Sequence, residues 1–553
     1  MDLVLVGLPG SGKSVVGKRL ANRHGAVFID LDERIEQEDG RSIPTIFEED
    51  GEPAFRSLER GAVAALGPPD PSPEVRRIIA TGGGAIVDPR NRWLLYRGRL
   101  SVWLDGRPEV LAQRLRRSPH VRPLVTGRDP IGAIRDLATR RERFYAAAGL
   151  RVAGVQEVNQ VVELVERRIS EVDPASESPS MTLLRASTPI GRIVISDGGA
   201  AAGVDEALRA LGPRRSIVVS EPGAFAAVGS SIVDALRAAG WALELVMLPE
   251  GESAKRLAVI EGAASELARH RIERDEPIVA IGGGALGDAA GFLAATYLRG
   301  IPIVHVPTTL VAQIDSSIGG KTAVDLAEGK NLIGAFHQPA AVVIDTALTR
   351  TLPVRQRRAA LGEAVKMAAL GDERLFELLE HDGAAIARGD AKAFERGVVA
   401  ELVERSAWAK VEVVMADEKE RTTSGAGRIS LNLGHSLGHA LEAAAGFGGL
   451  LHGEAVAYGL RAAGRIGLAL GVTPPERVAR IDRLLDTLEL GRDPLPYDLD
   501  AVLDHLATDK KHSGGRLRWV LPTATGVETR ADVPDAVVRT AASSLLTGMG
   551  TPS

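Results

Sequence analysis

Residues 7 to 14 read Gly-Leu-Pro-Gly-Ser-Gly-Lys-Ser, directly after the apolar run LVLV and before a helical pattern from Ser14 to His24. Nothing else in the chain limits its fold so tightly. Glycines at this spacing let backbone N–H groups crowd round phosphate oxygens at a helix N-terminus, which demands a strand before the loop and a helix after it. Lys13 can neutralise charge on the β- and γ-phosphates, and the Ser14 hydroxyl can join a Mg²⁺ shell. Gly10, Ser11, Gly12, Lys13, Ser14 and Val15 are the expected nucleotide cradle.

The alternation that this loop opens continues through AVFID, RIIATGGG and LSVWLD with helical patterns between, and predicts a parallel sheet flanked by helices. A helix over Gln156 to Glu171 runs into VDPASESPSM, rich in Ser, Pro and acids and without apolar period, so Val172 to Met181 reads as a linker. A second α/β alternation follows: GRIVISDGG, RSIVVSEPG, LELVMLPEG, EPIVAIGGG, IPIVHVPTT and AAVVIDTA. After about Leu352 the pattern turns helical, at 355–419 and 436–470, with a late apolar segment RLRWVLPT. The expected organisation is a domain over 1–171, the linker 172–181, an α/β half over 182–352 and an all-helical half over 353–549.

A chain of 553 residues exceeds what one core serves, and its 45% hydrophobic and 25% charged content is that of globular protein. A net charge of -5 supplies no basic field for nucleic acid. No apolar run approaches the roughly 20 residues of a membrane helix and no signal-peptide pattern opens the chain, so a cytoplasmic enzyme without membrane partners is expected. Cysteine is absent, so any metal must be held by nitrogen and oxygen.

A phosphate loop alone does not separate switch proteins from small-molecule kinases. No guanine-reading NKxD-type motif is found, whereas FIDLD, GEPAFR, TGGGA, VRPLV and RRERFY follow in order. This set resembles the shikimate kinase family over residues 1–170. The resemblance implies ATP as phosphoryl donor with Mg²⁺, and shikimate held by Asp32 at its hydroxyls, by Arg56 and Arg141 at its carboxylate, and by the close backbone at Gly83. It implies that Arg122, in the lid, stabilises the transferring group and that Asp30 aids Mg²⁺ or the attacking hydroxyl. Arg141 is preferred to Arg140 because it precedes Tyr145 by four residues; Phe144 stands where the family has Leu.

In the second unit Gly282-Gly283-Gly284-Ala-Leu-Gly287-Asp288 follows the strand PIVAI and can present amides to a pyrophosphate. Further on, Asn432-Leu-Gly-His435-Ser-Leu-Gly-His439 sets two histidines at i and i+4 on one helical face; His452 lies in LHGEAV and Glu363 in LGEAVK. Two histidines and a carboxylate with an open position suit catalytic zinc. A lone histidine is more often a packed core residue, but four such features together reverse that expectation.

Over about residues 190–545 the chain resembles the 3-dehydroquinate synthase family. The resemblance implies NAD⁺ and a divalent metal, Zn²⁺ or Co²⁺, and conversion of 3-deoxy-D-arabino-heptulosonate 7-phosphate to 3-dehydroquinate plus phosphate. The metal ligands would be Glu363, His435 and His452. NAD⁺ would meet Glu250, Gly251, Glu252, Ser253, Ala254, Lys255, Gly284, Ala285, Leu286, Gly287, Asp288, Thr308, Thr309, Lys321, Lys330, Leu348, Thr349, Arg350 and Thr351. Substrate would meet Asp315, Asn331, Lys366, Lys410, Arg428, Asn432, His439, Lys510 and Lys511, with Lys366, Asn432 and His439 nearest the chemistry. Glu250 replaces the family's Asp and Met367 its Tyr. A homodimer through this unit is implied in the same way.

The alternative is a small-molecule kinase joined to a metal-dependent polyol dehydrogenase. That enzyme would accumulate NADH, and an uncharged polyol gives no use for so many cations.

Overall fold

The computed structural model describes residues 1–116, 129–153, 157–171, 181–327, 329–420, 427–446, 449–512 and 517–547, without side chains over 508–512. The chain divides into two compact units, Met1–Ser187 with Ile193–Gly199, and Thr188–Arg192 with Ala200–Ser553. Of the stretch read as a linker, 172–180 lies outside the described residues, and Met181 opens a strand.

In the first unit β1 (Asp2–Val6), β2 (Val27–Asp30), β3 (Arg77–Ala80), β4 (Leu100–Asp105) and β5 (Leu150–Ala153) form a parallel sheet in the order β2-β3-β1-β4-β5. β1 is central and fully buried, as its unbroken apolar run requires of a strand covered on both faces. The phosphate loop leaves its carboxyl end, where open parallel sheets bind ligands. The edge strand β5, LRVA, lacks a distinct apolar pattern and was not expected.

Strands β6 (Met181–Thr188) and β7 (Gly191–Asp197) fall mostly within the bounds of the first unit, whereas β8 (Ser216–Ser220), β9 (Leu243–Met247), β10 (Ile278–Gly282), β11 (Ile303–Pro307) and β14 (Ala341–Asp345) are the sheet strands of the second, in the order β14-β11-β10-β8-β9. The pairings from β14 to β9 are parallel. Between β11 and β14 lies an antiparallel hairpin, β12 (Lys321–Leu326) and β13 (Gly329–Phe336). Among the described residues the rest is helical apart from a small hairpin, β15 (Trp519–Pro522) with β16 (Val527–Arg530), which corrects the expectation of an all-helical half.

Close helix contacts build the core of this half. A Cβ on Gly362 would lie 2.1 Å from the Gly453 carbonyl, one on Gly453 1.8 Å from the Ala359 carbonyl, and one on Gly459 1.7 Å from the Gly434 carbonyl. Only glycine permits backbones so near. These contacts pin helices Val354–Ala369 and His435–Ala444 against His452–Ala469. Among the described residues no helix is long and apolar enough to cross a membrane.

Candidate active sites

In the first unit Gly10 (φ 82°) and Gly12 (φ 93°) take left-handed backbone that bends the loop round its centre. Lys13 is buried and donates to the carbonyls of Gly7 (2.9 Å) and Leu8 (3.2 Å), so its ammonium is already folded over the loop. Ser11 is buried with no hydrogen bond to its hydroxyl, Ser14 is half-buried, and Val15 is exposed.

Facing the loop, Arg141 Nη1 and the Tyr145 hydroxyl donate to the Gly83 carbonyl at 2.8 and 2.6 Å, while Arg140 is exposed. Arg56 pairs with Glu52 and with buried Glu59, each at 2.8 Å. A Cβ on Gly82 would lie 2.6 Å from Asp32 Oδ1, and one on Gly84 2.6 Å from Arg56 Nη1. The glycine run, Asp32, Arg56 and Arg141 therefore share one place. Asp30 accepts the N–H groups of Asp32 and Glu33 as the cap of helix Leu31–Asp39, which fixes the approach of Asp32. Arg122 lies outside the described residues.

Glu59 has no signal in the sequence beyond three-residue spacing from Arg56. Burial raises its pKa despite Arg56, with Asp32 and Asp88 adding to the rise.

The second site gathers at the glycine contacts. Glu363 is fully buried, with Oε1 3.0 Å from His452 Nε2 and 3.5 Å from His435 Nε2. His435 Nδ1 meets the Leu433 carbonyl and His452 Nδ1 meets Glu442 Oε2, each at 3.1 Å, so both Nε2 atoms are aimed at one point. Neither Glu363 oxygen accepts a well-aligned hydrogen bond, although Lys366 Nζ stands 2.5 Å from Oε2. Three ligand atoms within 4.8 Å of one another, with the outer imidazole nitrogens anchored, fit a divalent metal. Burial opposes the Glu363 charge, but Lys366, His435 and His452 hold its pKa well below the usual range. Burial pushes the His435 pKa well down.

Beside Glu363, Lys410 Nζ lies 2.8 Å and Lys366 Nζ 3.5 Å from Asp315 Oδ1. Burial disfavours the Asp315 charge, yet the two ammonium groups lower its pKa below the ordinary value. Arg428, also buried, donates to the carbonyls of Glu418 (2.7 Å) and Gly319 (2.9 Å). Asn432 reaches Glu420 at 3.4 Å, as does Lys321 at 2.6 Å. The exposed His439 ring lies 5.3 Å from that of His435. The side chains of Lys510 and Lys511 lie outside those described.

Around the glycine loop a Cβ on Gly284 would lie 2.8 Å from Ser316 Oγ, so only backbone lines the start of helix Gly284–Thr296. Lys255 Nζ donates to Asp288 (2.9 Å) and to Asn331. Asn331, at φ 59°, takes the left-handed turn that asparagine tolerates. Lys330 Nζ lies 3.1 Å from Glu252. Thr308 and Thr349 are buried, Arg350 and Thr351 exposed. Glu221, at the end of β8, accepts the N–H groups of Gly251 (3.0 Å) and Gly283 (3.3 Å). It was missed, although an acid closing a strand beside the glycine-loop strand is the available signal.

Comparison with known proteins agrees with this geometry. The shikimate kinase family model matches residues 9–171, and the 3-dehydroquinate synthase N-terminal and C-terminal models match 245–359 and 360–512. The 3-dehydroquinate synthase of Gloeobacter violaceus is 44% identical over 316 residues, covering 56% of this chain and 84% of that protein. That of Pelobacter propionicus is 46% identical over 299 residues, covering 54% and 80%. Among solved structures, the 2-epi-5-epi-valiolone synthase ValA of Streptomyces hygroscopicus with NAD⁺ and Zn²⁺ bound superposes with a TM-score of 0.57 at 27% identity, covering 64% of this chain and 96% of that one. With both halves of a synthase matched behind a kinase match over residues 9–171, the chain belongs to the 3-dehydroquinate synthase family and carries a shikimate kinase domain ahead of it.

Proposed function

We propose that the chain is a bifunctional enzyme of aromatic-ring biosynthesis. Its first domain, 1–171, transfers a phosphoryl group from ATP to shikimate, giving shikimate 3-phosphate. The remainder, an NAD-binding half over 182–352 and a metal-binding half over 353–549, converts 3-deoxy-D-arabino-heptulosonate 7-phosphate to 3-dehydroquinate and phosphate. The observation that carries the synthase reading is the Glu363, His435 and His452 cluster set against the buried cations Lys366, Lys410 and Arg428.

In the kinase Lys13 and the loop amides hold the phosphates, and Ser14 completes the Mg²⁺ shell. Arg56 and Arg141 hold the shikimate carboxylate by charge-assisted hydrogen bonds, Asp32 accepts from its hydroxyls, and Arg122 stabilises the transferring group.

In the synthase Glu363, His435 and His452 would hold Zn²⁺ or Co²⁺. When bound, the metal would supply Lewis acidity toward a substrate hydroxyl and NAD⁺ a reversible hydride acceptor, so no net redox change would result. Lys366, Lys410 and Arg428 bind the substrate's anionic ends, which an uncharged polyol would lack. Asp315 keeps the two lysines in place, Asn432 orients hydroxyls, and His439 exchanges protons at its ring nitrogen. Glu221 is placed for a ribose hydroxyl of the dinucleotide. A cytoplasmic location and a homodimer through the synthase complete the reading; exposed Leu332 and Phe336 on β13 support the dimer.

The test is phosphate release from the heptulosonate phosphate with NAD⁺ and Zn²⁺, followed alongside absorbance at ~340 nm, where NADH absorbs. Phosphate without NADH is expected; steady NADH accumulation or no turnover refutes the synthase.

A further inference from the structure

We propose that Glu442 is a positioning residue that ties the metal cluster to the dinucleotide loop, so that filling either site tightens the other. The inference rests on the metal and NAD⁺ sites proposed above and adds their coupling. Glu442 is buried on helix His435–Ala444, and its two oxygens have different partners. Oε2 meets His452 Nδ1 at 3.1 Å, while Oε1 stands 3.8 Å from Lys330 Nζ. Lys330 Nζ is itself 3.1 Å from Glu252 Oε1, in the turn Gly251–Lys255. Glu252 Oε2 lies 3.9 Å from Lys255 Nζ, which pairs at 2.9 Å with Asp288 on the glycine-loop helix.

Charge thus alternates from the ligand His452 through Glu442, Lys330, Glu252 and Lys255 to Asp288. In a half-buried setting each member feels its neighbours strongly, and Lys330 stands between carboxylates belonging to different sites. That shared ammonium is the element both sites bias. A divalent ion at Glu363, His435 and His452 adds positive charge, draws Glu442 toward His452 and loosens its hold on Lys330. The ammonium would then be freer to turn toward Glu252, in the turn proposed to meet the dinucleotide, and to offer its charge to that anion. Metal therefore tightens NAD⁺, and reciprocity requires NAD⁺ to tighten metal by the same factor.

The test is calorimetric titration of NAD⁺ into the full chain, stripped of metal and again with saturating Zn²⁺, for the parent, Glu442→Gln and Glu442→Ala. The parent should bind NAD⁺ at least about fivefold more tightly with zinc, the lower end of typical couplings. In Glu442→Gln the amide oxygen still accepts from His452 Nδ1 but carries no charge toward Lys330. Its Co²⁺-loaded d–d spectrum should match the parent, showing an intact site, while the NAD⁺ affinity ratio falls to near one. Glu442→Ala should shift that spectrum and weaken metal binding about 10- to 100-fold. A parental ratio preserved in Glu442→Gln, or a ratio of one in the parent, overturns the proposal. A chain that binds neither zinc nor NAD⁺ refutes the reading of the site itself, an outcome distinct from binding both without coupling.

Discussion

Asp315 is the residue whose loss the structure prices most directly. Its carboxylate faces Lys410 at 2.8 Å and Lys366 at 3.5 Å, and both lysines are buried. Lys366 keeps Glu363 as a second partner at 2.5 Å, so Asp315→Asn chiefly takes the counter-charge from Lys410, which retains its 2.8 Å hydrogen bond to the residue-315 carbonyl and whose pKa burial already lowers. Removing one partner of a buried pair costs about 3–5 kcal/mol, because a charge stays buried without compensation. The assay is hydrogen exchange in the full chain, read on peptides from Val398–Ala416, the helix that carries Lys410. Exchange there should quicken roughly a hundredfold or more, at ~1.4 kcal/mol per tenfold, with kinase-domain peptides unchanged. Because the folded pKa of Asp315 is lowered, its stabilisation is complete above its unfolded value of ~3.9 and fades only as pH falls below that. The deficit in Asp315→Asn should therefore be constant near neutrality and narrow as rising pH discharges Lys410. Pairing the change with Lys410→Met should recover most of the loss. A single variant within about 1 kcal/mol of the parent, the worth of a solvent-exposed pair, would refute the assignment of a buried, mutually dependent pair.

Three further outcomes follow from the geometry. Arg141→Ala should lower kcat/KM for shikimate about 10- to 100-fold, the worth of a charge-assisted hydrogen bond, while Arg140→Ala changes it less than about twofold. Gly84→Ala puts a methyl 2.6 Å from Arg56 Nη1 and displaces the guanidinium, so shikimate KM should rise in steady-state assays while ATP KM holds. A chelator selective for zinc over magnesium, 1,10-phenanthroline, should abolish phosphate release by the synthase, spare the kinase, and be reversed by added Zn²⁺ or Co²⁺.

What the sequence made legible was local. The phosphate loop and the His435/His439 pair are short segments whose spacing sets their geometry, and the long apolar strands β1, β8, β10, β11 and β14 announce themselves by unbroken runs. The β12–β13 hairpin carries no such run: glycines and Asn331 interrupt its apolar residues, and a Cβ on Gly334 would come 2.2 Å from the Thr322 carbonyl, a close strand approach. The region 436–470 read as continuous helical pattern, yet a break after Ala444 makes His452 the first residue of a new helix and turns it toward His435. Glu59, Glu221 and Glu442 escaped notice because a single acid carries no periodic mark; each gains its place at a site only through a partner remote in the chain or buried beside it.

The central claim is that one chain carries two separate active sites, and paired variants test it most directly. Lys13→Met and Glu363→Gln should each be assayed for shikimate phosphorylation and for phosphate release from the heptulosonate phosphate. Lys13→Met should lose the first activity by about 100-fold or more and keep the second, and Glu363→Gln should do the reverse. Loss of both activities in either variant, or retention of phosphate release without Glu363, would contradict the account.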